Sequence, residues 1–326
     1  MTAPAPAIIV PPQPWTGRFD GEGAEHRRWW QAVTPYSLRT IPASASASAR
    51  ITHRTRAAVL LGFGSDEGVR RNQGRVGAAA GPGAIRAALA PLAFHLDRDV
   101  RDAGDVTVAG QSLEAGQARA GLAITRLLDA GQLPVVLGGG HETAFASYLG
   151  IAGSAAVREG LRAGVLNLDA HFDLRDEPVP SSGTPFLQMA RAEAAAGREL
   201  QYAVVGISEP SNTRALFRTA QELGVDYLLD EDCSAAAAHA FVAAFLAQVD
   251  ALYLTIDLDV LPASEAPGVS APAAYGVPLP VVSAVCRQVA ASGKLLHLDV
   301  AELNPGFDID GRTAMVAARL VNTLLG

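Results

Sequence analysis

From residue 57 to its end the chain alternates short apolar runs with amphipathic stretches, and this alternation constrains the fold most strongly. The apolar runs are continuous and rich in β-branched residues, which is typical of strands buried on both faces of a parallel sheet. The amphipathic stretches between them indicate helices that cover such a sheet. We predict strands near 57–63, 100–106, 134–138, 164–169, 202–207, 225–229, 251–257 and 295–300, and helices over 83–93, 116–131, 142–151, 184–197, 211–223, 235–249, 280–292 and 311–325.

Eight such strands form either an open sheet with helices on both faces or a closed barrel, and periodicity alone does not distinguish the two. Residues 1–55 do not continue the pattern. They are rich in Pro, Ala and Ser, and their alternating Ala-Ser run at 43–49 is typical of a flexible connection. We therefore expect an irregular N-terminal extension over 1–55 and a single domain over 56–326.

Composition limits the possible classes of protein. The hydrophobic fraction of 49% is enough for a large core. A net charge of −7 argues against a nucleic-acid partner, because phosphate binding needs a basic face. Only Cys233 and Cys286 are present, which fits a reducing compartment. With no signal-peptide pattern and no apolar run near membrane-spanning length, we expect a soluble cytoplasmic protein with no membrane partner.

Potential metal ligands follow three of the predicted strands. Residues 169–173 alternate Asp, His and Asp, and residues two apart on a strand share a face. Two aspartates end a second strand, and a histidine follows three glycines after a third. The carboxyl ends of parallel strands are where ligands bind, and a divalent cation offsets the cost of burying carboxylates. The candidate ligands are His141, Asp169, His171, Asp173, Asp257 and Asp259.

The spacing of these ligands favours two cations over one. Strand residues two apart are separated by roughly 6.6 Å, too far for three successive ligands to meet at one ion without bending. Two ions about 3.5–4 Å apart fit that spread, and a water between them becomes the nucleophile. Four aspartates balance two divalent cations, and carboxylates with imidazole favour Mn²⁺ over Zn²⁺. Taken singly, each motif is also explained as a capped or solvated strand end.

Four motifs, in order, resemble the ureohydrolase superfamily of arginases and agmatinases. They are Gly138-Gly-Gly-His-Glu142, Asp169-Ala-His-Phe-Asp173, Asp257-Leu-Asp-Val260 and Leu298-Asp-Val-Ala-Glu-Leu-Asn-Pro305. The resemblance implies a three-layer α/β/α sandwich with a mostly parallel eight-stranded sheet, arginase-like, which favours the open sheet. It also implies a homo-oligomer. Its ligand pattern implies one Mn²⁺ held by His141, Asp169, Asp173 and Asp257, and a second held by Asp169, His171, Asp257 and Asp259.

Further details resemble the formimidoylglutamase branch of that superfamily. Arginases and agmatinases usually have Gly-Gly-Asp-His-Ser where this chain has His141 and Glu142. Asp-Ala-His-Phe-Asp-Leu-Arg, Ser181-Ser-Gly-Thr-Pro-Phe186 and Arg71-Asn-Gln-Gly-Arg75 are similar to that branch. This resemblance implies Mn²⁺-dependent hydrolysis of N-formimidoyl-L-glutamate to L-glutamate and formamide, in histidine degradation. The alternative is an agmatinase- or arginase-like enzyme that releases urea from a guanidino compound.

The implied substrate carries two carboxylates and a cationic formimidoyl group. Arginine suits carboxylates because its guanidinium donates two parallel hydrogen bonds. Arg175 is predicted at the mouth of the site, and Arg71 and Arg75 lie on a loop after the first predicted strand. A solvated surface charge is the alternative for each. Ser182 completes the candidate substrate contacts.

Two candidate catalytic residues come from the same resemblance. By family position, Glu302 would face the cationic nitrogen of the substrate, whereas a structural ion pair is the alternative. Many relatives place a proton-shuttling histidine in the loop ending Gly-Thr-Pro-Phe, where this chain has Ser181 and Ser182. We therefore expect Asp173 to relay the proton from the attacking water to the leaving amine.

Two other classes of protein are weaker alternatives. Asp257-Leu-Asp-Val superficially resembles the nucleophile motif of haloacid-dehalogenase-type phosphatases. That motif stands near the N terminus of its fold and needs a later lysine with an acidic pair, whereas Lys294 is the sole lysine here and has no such pair. A non-enzymatic regulator that retains the fold conflicts with the intact ligand set. Gly138–Gly140 lack the spacing of a phosphate-binding loop.

Overall fold

Eight parallel strands form the centre of the fold in the computed structural model, which describes residues 8–10, 12–40 and 56–326. In chain order the strands are β1 (Ile8–Val10), β2 (Thr34–Pro35), β3 (Ala58–Gly64), β4 (Val100–Thr107), β5 (Leu133–Leu137), β6 (Ala163–Leu168), β7 (Gln201–Ile207), β8 (Asp226–Leu229), β9 (Ala251–Asp257) and β10 (Leu295–Ala301). The sheet order is β1-β4-β3-β5-β10-β9-β6-β7-β8, with β2 also on β4. The open, mostly parallel sheet is confirmed, with two short strands added to the eight predicted.

Helices cover both faces of the sheet. They are α1 (Trp29–Ala32), α2 (Glu67–Arg71), α3 (Gly81–Leu89), α4 (Leu113–Asp129), α5 (Thr143–Gly153), α6 (Ala155–Arg158), α7 (Pro185–Ala195), α8 (Arg214–Glu222), α9 (Ala235–Gln248), α10 (Leu279–Ser292) and α11 (Arg312–Leu325). One face packs against α3, α9, α10 and α11, and the other packs against α4 to α8. This arrangement confirms the three-layer sandwich. No described helix is long and apolar enough to cross a membrane.

Burial on both faces explains why the strand sequences are continuously apolar. All seven residues of β9 are buried. Leu252, Leu254 and Ile256 pack in one hydrophobic cluster, whereas Tyr253 packs in the cluster on the opposite face. Alternate side chains of one strand therefore serve different cores, as the period of two requires.

The described part of the N-terminal extension is not wholly irregular. Strand β1 pairs antiparallel with β4, and β2 pairs with β4 in parallel. Trp29 is fully buried, stacks on Trp15, meets Phe94 edge-on and donates from Nε1 to Asn322 Oδ1 at 2.9 Å. These contacts attach the extension to the sheet and to α11. The Ala-Ser run at 43–49 lies outside the described residues, and the domain boundary at residue 56 stays a prediction.

The sheet order brings the chemical motifs together. Strands β5, β10, β9 and β6 are neighbours at the centre of the sheet. Each predicted motif follows the carboxyl end of one of these four strands. Because the strands are parallel, all four motifs emerge at the same edge of the sheet.

Candidate active site

The first group of candidate metal ligands surrounds His141. Its Nδ1 lies 3.1 Å from Asp169 Oδ2, 2.9 Å from Asp173 Oδ2 and 3.2 Å from Asp257 Oδ2. One ligand atom from each of these four residues lies within 4.8 Å of the others. The set matches the first predicted ion site residue for residue.

The second group contains Asp169, His171 and Asp259. His171 Nδ1 lies 3.4 Å from Asp169 Oδ1 and 3.1 Å from Asp259 Oδ2. Asp169 therefore faces both groups, one oxygen to each, as predicted for a bridging carboxylate. Asp257 was expected to bridge as well, but it belongs to the first group only, because its Oδ1 accepts a hydrogen bond from the Asp259 amide at 2.8 Å.

The backbone turns as soon as the strands end, which is how closely spaced ligands converge. The His171 amide donates to Asp169 Oδ1 at 2.7 Å, so the chain folds back on the aspartate. Asp173 then adopts a left-handed backbone conformation with φ of 48°. Such a conformation is strained for a side chain other than glycine and persists where the surroundings enforce it. The bend overcomes the spacing that an extended strand would impose.

Electrostatics shows that the site has an excess of buried negative charge. Burial and the nearby carboxylates of Asp259 and Asp169 raise the pKa of Asp257 well above its usual value. Burial and Asp169 likewise raise the pKa of Asp173. Burial alone would lower the pKa of His141, but its hydrogen bonds to three aspartates outweigh burial and raise it. Divalent cations would offset this charge, so the donor set fits a pair of them.

Polar groups behind the ligands hold them in place, and sequence reasoning missed these groups. Thr255 Oγ1 lies 3.0 Å from His141 Nε2, which leaves Nδ1 directed at the aspartates. Asn167 Nδ2 donates to Asp169 Oδ2 at 2.9 Å. Both are fully buried. Each stands two residues before an aspartate ligand on its strand and so shares its face. That spacing was the available signal.

Glu302 lies beside the first group with one carboxylate oxygen engaged. Its Oε1 accepts the His141 amide at 2.8 Å, whereas Oε2 is buried with no hydrogen-bond partner. Burial and the neighbouring Glu142 raise the pKa of Glu302 to about 8. Its φ of 70° is a second left-handed conformation at the site. A buried carboxyl with an unsatisfied oxygen is suited to bind a donor that a ligand brings.

Glu142 is buried next to His141 and anchors the loop after β3. Its Oε1 accepts hydrogen bonds from Ser65 Oγ at 2.7 Å and from the Gly68 amide at 2.9 Å. A Cβ atom on Gly68 would lie 2.5 Å from the other oxygen of Glu142, and one on Gly140 would lie closer still. The large side chain therefore fits only because both of these residues are glycine.

The ligands open into a cavity of about 340 Å³. Its wall includes Arg175, Ser182 and Arg75 from the predicted substrate contacts, together with Glu302. Arg175 is exposed, and its guanidinium has no partner in the described part of the chain. Ser182 Oγ accepts a hydrogen bond from Asn72 at 3.1 Å. The structure thus brings all of these predicted residues to one space.

Arg71 is the predicted substrate contact that the structure does not bring to the cavity wall. Its guanidinium donates to Glu67 Oε1 at 2.9 Å and to Glu114 Oε1 at 2.6 Å. It also donates to the carbonyl oxygens of Pro180 and Gln111, at 2.9 and 3.0 Å. The side chain is thereby fixed between loops, so the structure does not support direct substrate binding by Arg71.

Comparison with known proteins identifies the family. Residues 56–326 match the sequence model of the arginase family. The chain belongs to the arginase family. Two similar members are a formimidoylglutamase of Nocardia farcinica (strain IFM 10152), 58% identical over 311 residues that cover 95% of each chain, and one of Rhodococcus opacus (strain B4), 55% identical over 321 residues that cover 98% of this chain and 96% of the relative.

A solved structure of the arginase family shares the fold. The formiminoglutamase of Trypanosoma cruzi, determined with Mn²⁺, has a TM-score of 0.74 and 25% identity, and the match covers 85% of this chain and 95% of that one. These findings confirm the predicted resemblance to formimidoylglutamases and to the arginase-type hydrolases. The protein is therefore an enzyme of the hydrolase class. The alternative of a haloacid-dehalogenase-type phosphatase is wrong.

Proposed function

We propose that this protein hydrolyses N-formimidoyl-L-glutamate to L-glutamate and formamide with two Mn²⁺ per subunit. The proposal rests on one observation: the metal-ligand candidates, Glu302 with its unsatisfied oxygen and the exposed Arg175 all face one cavity of about 340 Å³. A cation-binding acid and a carboxylate-binding base match the two ends of this substrate. The names of the relatives at 58% and 55% identity support the same substrate.

The donor set supports manganese as the metal. Four aspartates and two histidines supply hard oxygen donors with imidazole, a combination that suits Mn²⁺. The Trypanosoma cruzi formiminoglutamase was determined with this ion. When bound, two such cations supply Lewis acidity and bring the pKa of a coordinated water close to neutral.

The chain itself binds and orients the substrate. Glu302 Oε2 accepts a hydrogen bond from the cationic formimidoyl nitrogen and so fixes the carbon to be attacked. Arg175 binds a carboxylate through its free guanidinium, and Ser182 lies on the same wall. Arg75 also borders the cavity, but its guanidinium donates to two carbonyl oxygens. We therefore assign carboxylate binding to Arg175 first.

Asp173 moves the proton that the reaction requires. Water adds to the formimidoyl carbon, the bond from that carbon to the glutamate nitrogen breaks, and the nitrogen must gain a proton before it leaves. Asp173 lies on the cavity wall and its pKa is raised by burial and by Asp169, so its carboxyl can accept and return a proton. The absence of a histidine from loop 177–186 leaves this role to Asp173.

Replacing Asp173 with asparagine tests the proton relay. We expect kcat to fall about 10²- to 10⁴-fold, the usual contribution of a general acid. The measurement is formamide release at saturating substrate, with bound manganese determined in parallel. Asp176→Asn, an exposed neighbour paired with Arg191, is the matched control. A variant that keeps both ions and most of its kcat excludes the relay.

A product assay tests the substrate assignment. With added Mn²⁺, the purified protein should release formamide from N-formimidoyl-L-glutamate, and chelation should abolish this activity because the site needs its cations. Agmatine and arginine are assayed in parallel for urea. Urea from either compound, without formamide from formimidoylglutamate, would replace the proposal with the guanidino alternative. The predicted homo-oligomer and cytoplasmic location stay predictions, to be tested by size-exclusion chromatography with light scattering and by cell fractionation.

A further inference from the structure

Residues 72–75, called the 72–75 loop below, form one wall of the cavity. The loop follows α2, so it begins directly after Arg71 and ends at Arg75. The sequence predicted that these two arginines bind the substrate carboxylates. Their contacts give them a different role and direct attention to Gln73, which stands between them.

Arg71 ties the start of the loop to two other segments. Its two glutamate partners, Glu67 and Glu114, neutralise its charge and come from α2 and α4. Its bonds to backbone oxygens reach the turn before α4 and the segment that precedes Ser181. With these donors engaged, Arg71 acts as a strut between loops.

Arg75 ties the end of the loop to the segment after β9. Its Nε donates to Ser270 O at 2.9 Å, and its Nη2 donates to Val269 O. Its guanidinium carbon lies 4.2 Å from the centre of the Phe307 ring. The backbone is fixed as well, because the Arg75 amide donates to Ser270 Oγ at 2.9 Å and the Arg75 carbonyl accepts from Asn304 at 2.9 Å.

Gln73 is held between these anchors in a strained backbone conformation. Its φ is 61°, in the left-handed region that non-glycine residues rarely occupy. The amides on either side of its Cα donate to the carbonyl oxygens of Arg70 at 3.1 Å and Val69 at 2.8 Å, which enforces the turn. Its exposed carboxamide has no hydrogen-bond partner among the described residues. Strain of this kind concentrates at binding and active sites.

We propose that Gln73 donates a hydrogen bond from its carboxamide to a substrate carboxylate, and that Arg71 and Arg75 are positioning residues that hold Gln73 in place. The inference rests on the proposed function, because it requires a dicarboxylate substrate. The guanidinium of Arg175 binds one carboxylate, and the other needs a donor from a different part of the wall. A neutral amide supplies that donor without placing another positive charge near the cationic formimidoyl group.

Exchanging the carboxamide for a carboxylate tests this role without changing the shape of the side chain. For Gln73→Glu we expect the KM for N-formimidoyl-L-glutamate to rise about 10- to 100-fold, the usual effect of losing a hydrogen bond to a charged group. The kcat should change little. With N-butylformamidine, an amidine without carboxylates, kcat/KM should equal that of the wild type. Gln221→Glu, which makes the same charge change on exposed α8, is the control.

A double-mutant cycle tests the positioning role of Arg71. Arg71→Gln should also raise the KM, and Gln73→Glu added to it should raise the KM little further, because both changes remove the same contact. Bound manganese and melting temperature are measured for each variant, so that a general loss of folding is recognised. If the two effects multiply fully, Arg71 acts independently of Gln73 and its positioning role is excluded.

The outcomes separate this inference from the proposed function. Formamide release by the wild type with an unchanged KM in Gln73→Glu overturns the inference alone. An equal loss of kcat/KM for N-butylformamidine overturns it too, because the effect would then not depend on a carboxylate. No formamide release by the wild type overturns the proposed function and the inference together.

Discussion

Replacing Asp169 with asparagine is expected to abolish metal-dependent hydrolysis. Asp169 is the residue shared by both groups of ligand candidates, with Oδ2 towards His141 and Oδ1 towards His171. Loss of a group that merely supports a metal ligand costs about 10- to 100-fold. Loss of a ligand common to two ions should therefore lower kcat/KM for N-formimidoyl-L-glutamate by more than about 100-fold.

Bound manganese and formamide release measure this effect. After supplementation and desalting, elemental analysis should give two manganese ions per wild-type chain and fewer than two for Asp169→Asn. Asp176→Asn, whose exposed carboxylate pairs with Arg191 at 2.8 Å, should keep both ions. A variant at residue 169 with two ions and near wild-type activity would refute the shared-ligand assignment.

Replacing Glu302 with glutamine should separate substrate binding from metal binding. The glutamine oxygen can still accept the His141 amide, so the fold and the metal site should persist. The unsatisfied Oε2 becomes an amide donor that repels the cationic formimidoyl group. We expect kcat/KM to fall about 10²- to 10³-fold, comparable to the loss of one electrostatic contact to reacting atoms.

The decisive measurement for Glu302→Gln is activity at unchanged manganese content. Glu265→Gln is a matched control, because Glu265 also accepts a backbone amide, that of Leu279 at 2.7 Å, and does not line the cavity. If Glu302→Gln loses manganese in proportion to activity, the carboxyl acts through His141. Retention of full activity would contradict any contact with the substrate.

The sheet could be predicted because each parallel strand carries its own signal. Every predicted strand lies within two residues of an observed one, since burial on both faces requires a continuous apolar run. Strands β1 and β2 have only three and two residues, too short for a periodicity to appear. Their pairing depends on the exposed edge of β4, which no local pattern of residues 1–55 reports.

The ligand set could be predicted because strand ends converge by topology, whereas contacts between loops could not. The partners of Arg71 in Glu114 and Pro180 are 43 and 109 residues away along the chain. An arginine that binds substrate and one that braces a loop look the same in sequence. Thr255 and Asn167 are different, because a polar residue two positions before a ligand on an apolar strand can be recognised.

The burial of Glu142 limits the order in which this sequence can change. Its carboxyl fills the space that side chains at positions 68 and 140 would need. Neither glycine can therefore gain a side chain until Glu142 has first become smaller, for example the serine usual in arginases. Mutational paths between the two kinds of enzyme should pass through that substitution early, which makes the two glycines dependent on a residue that need not touch the substrate.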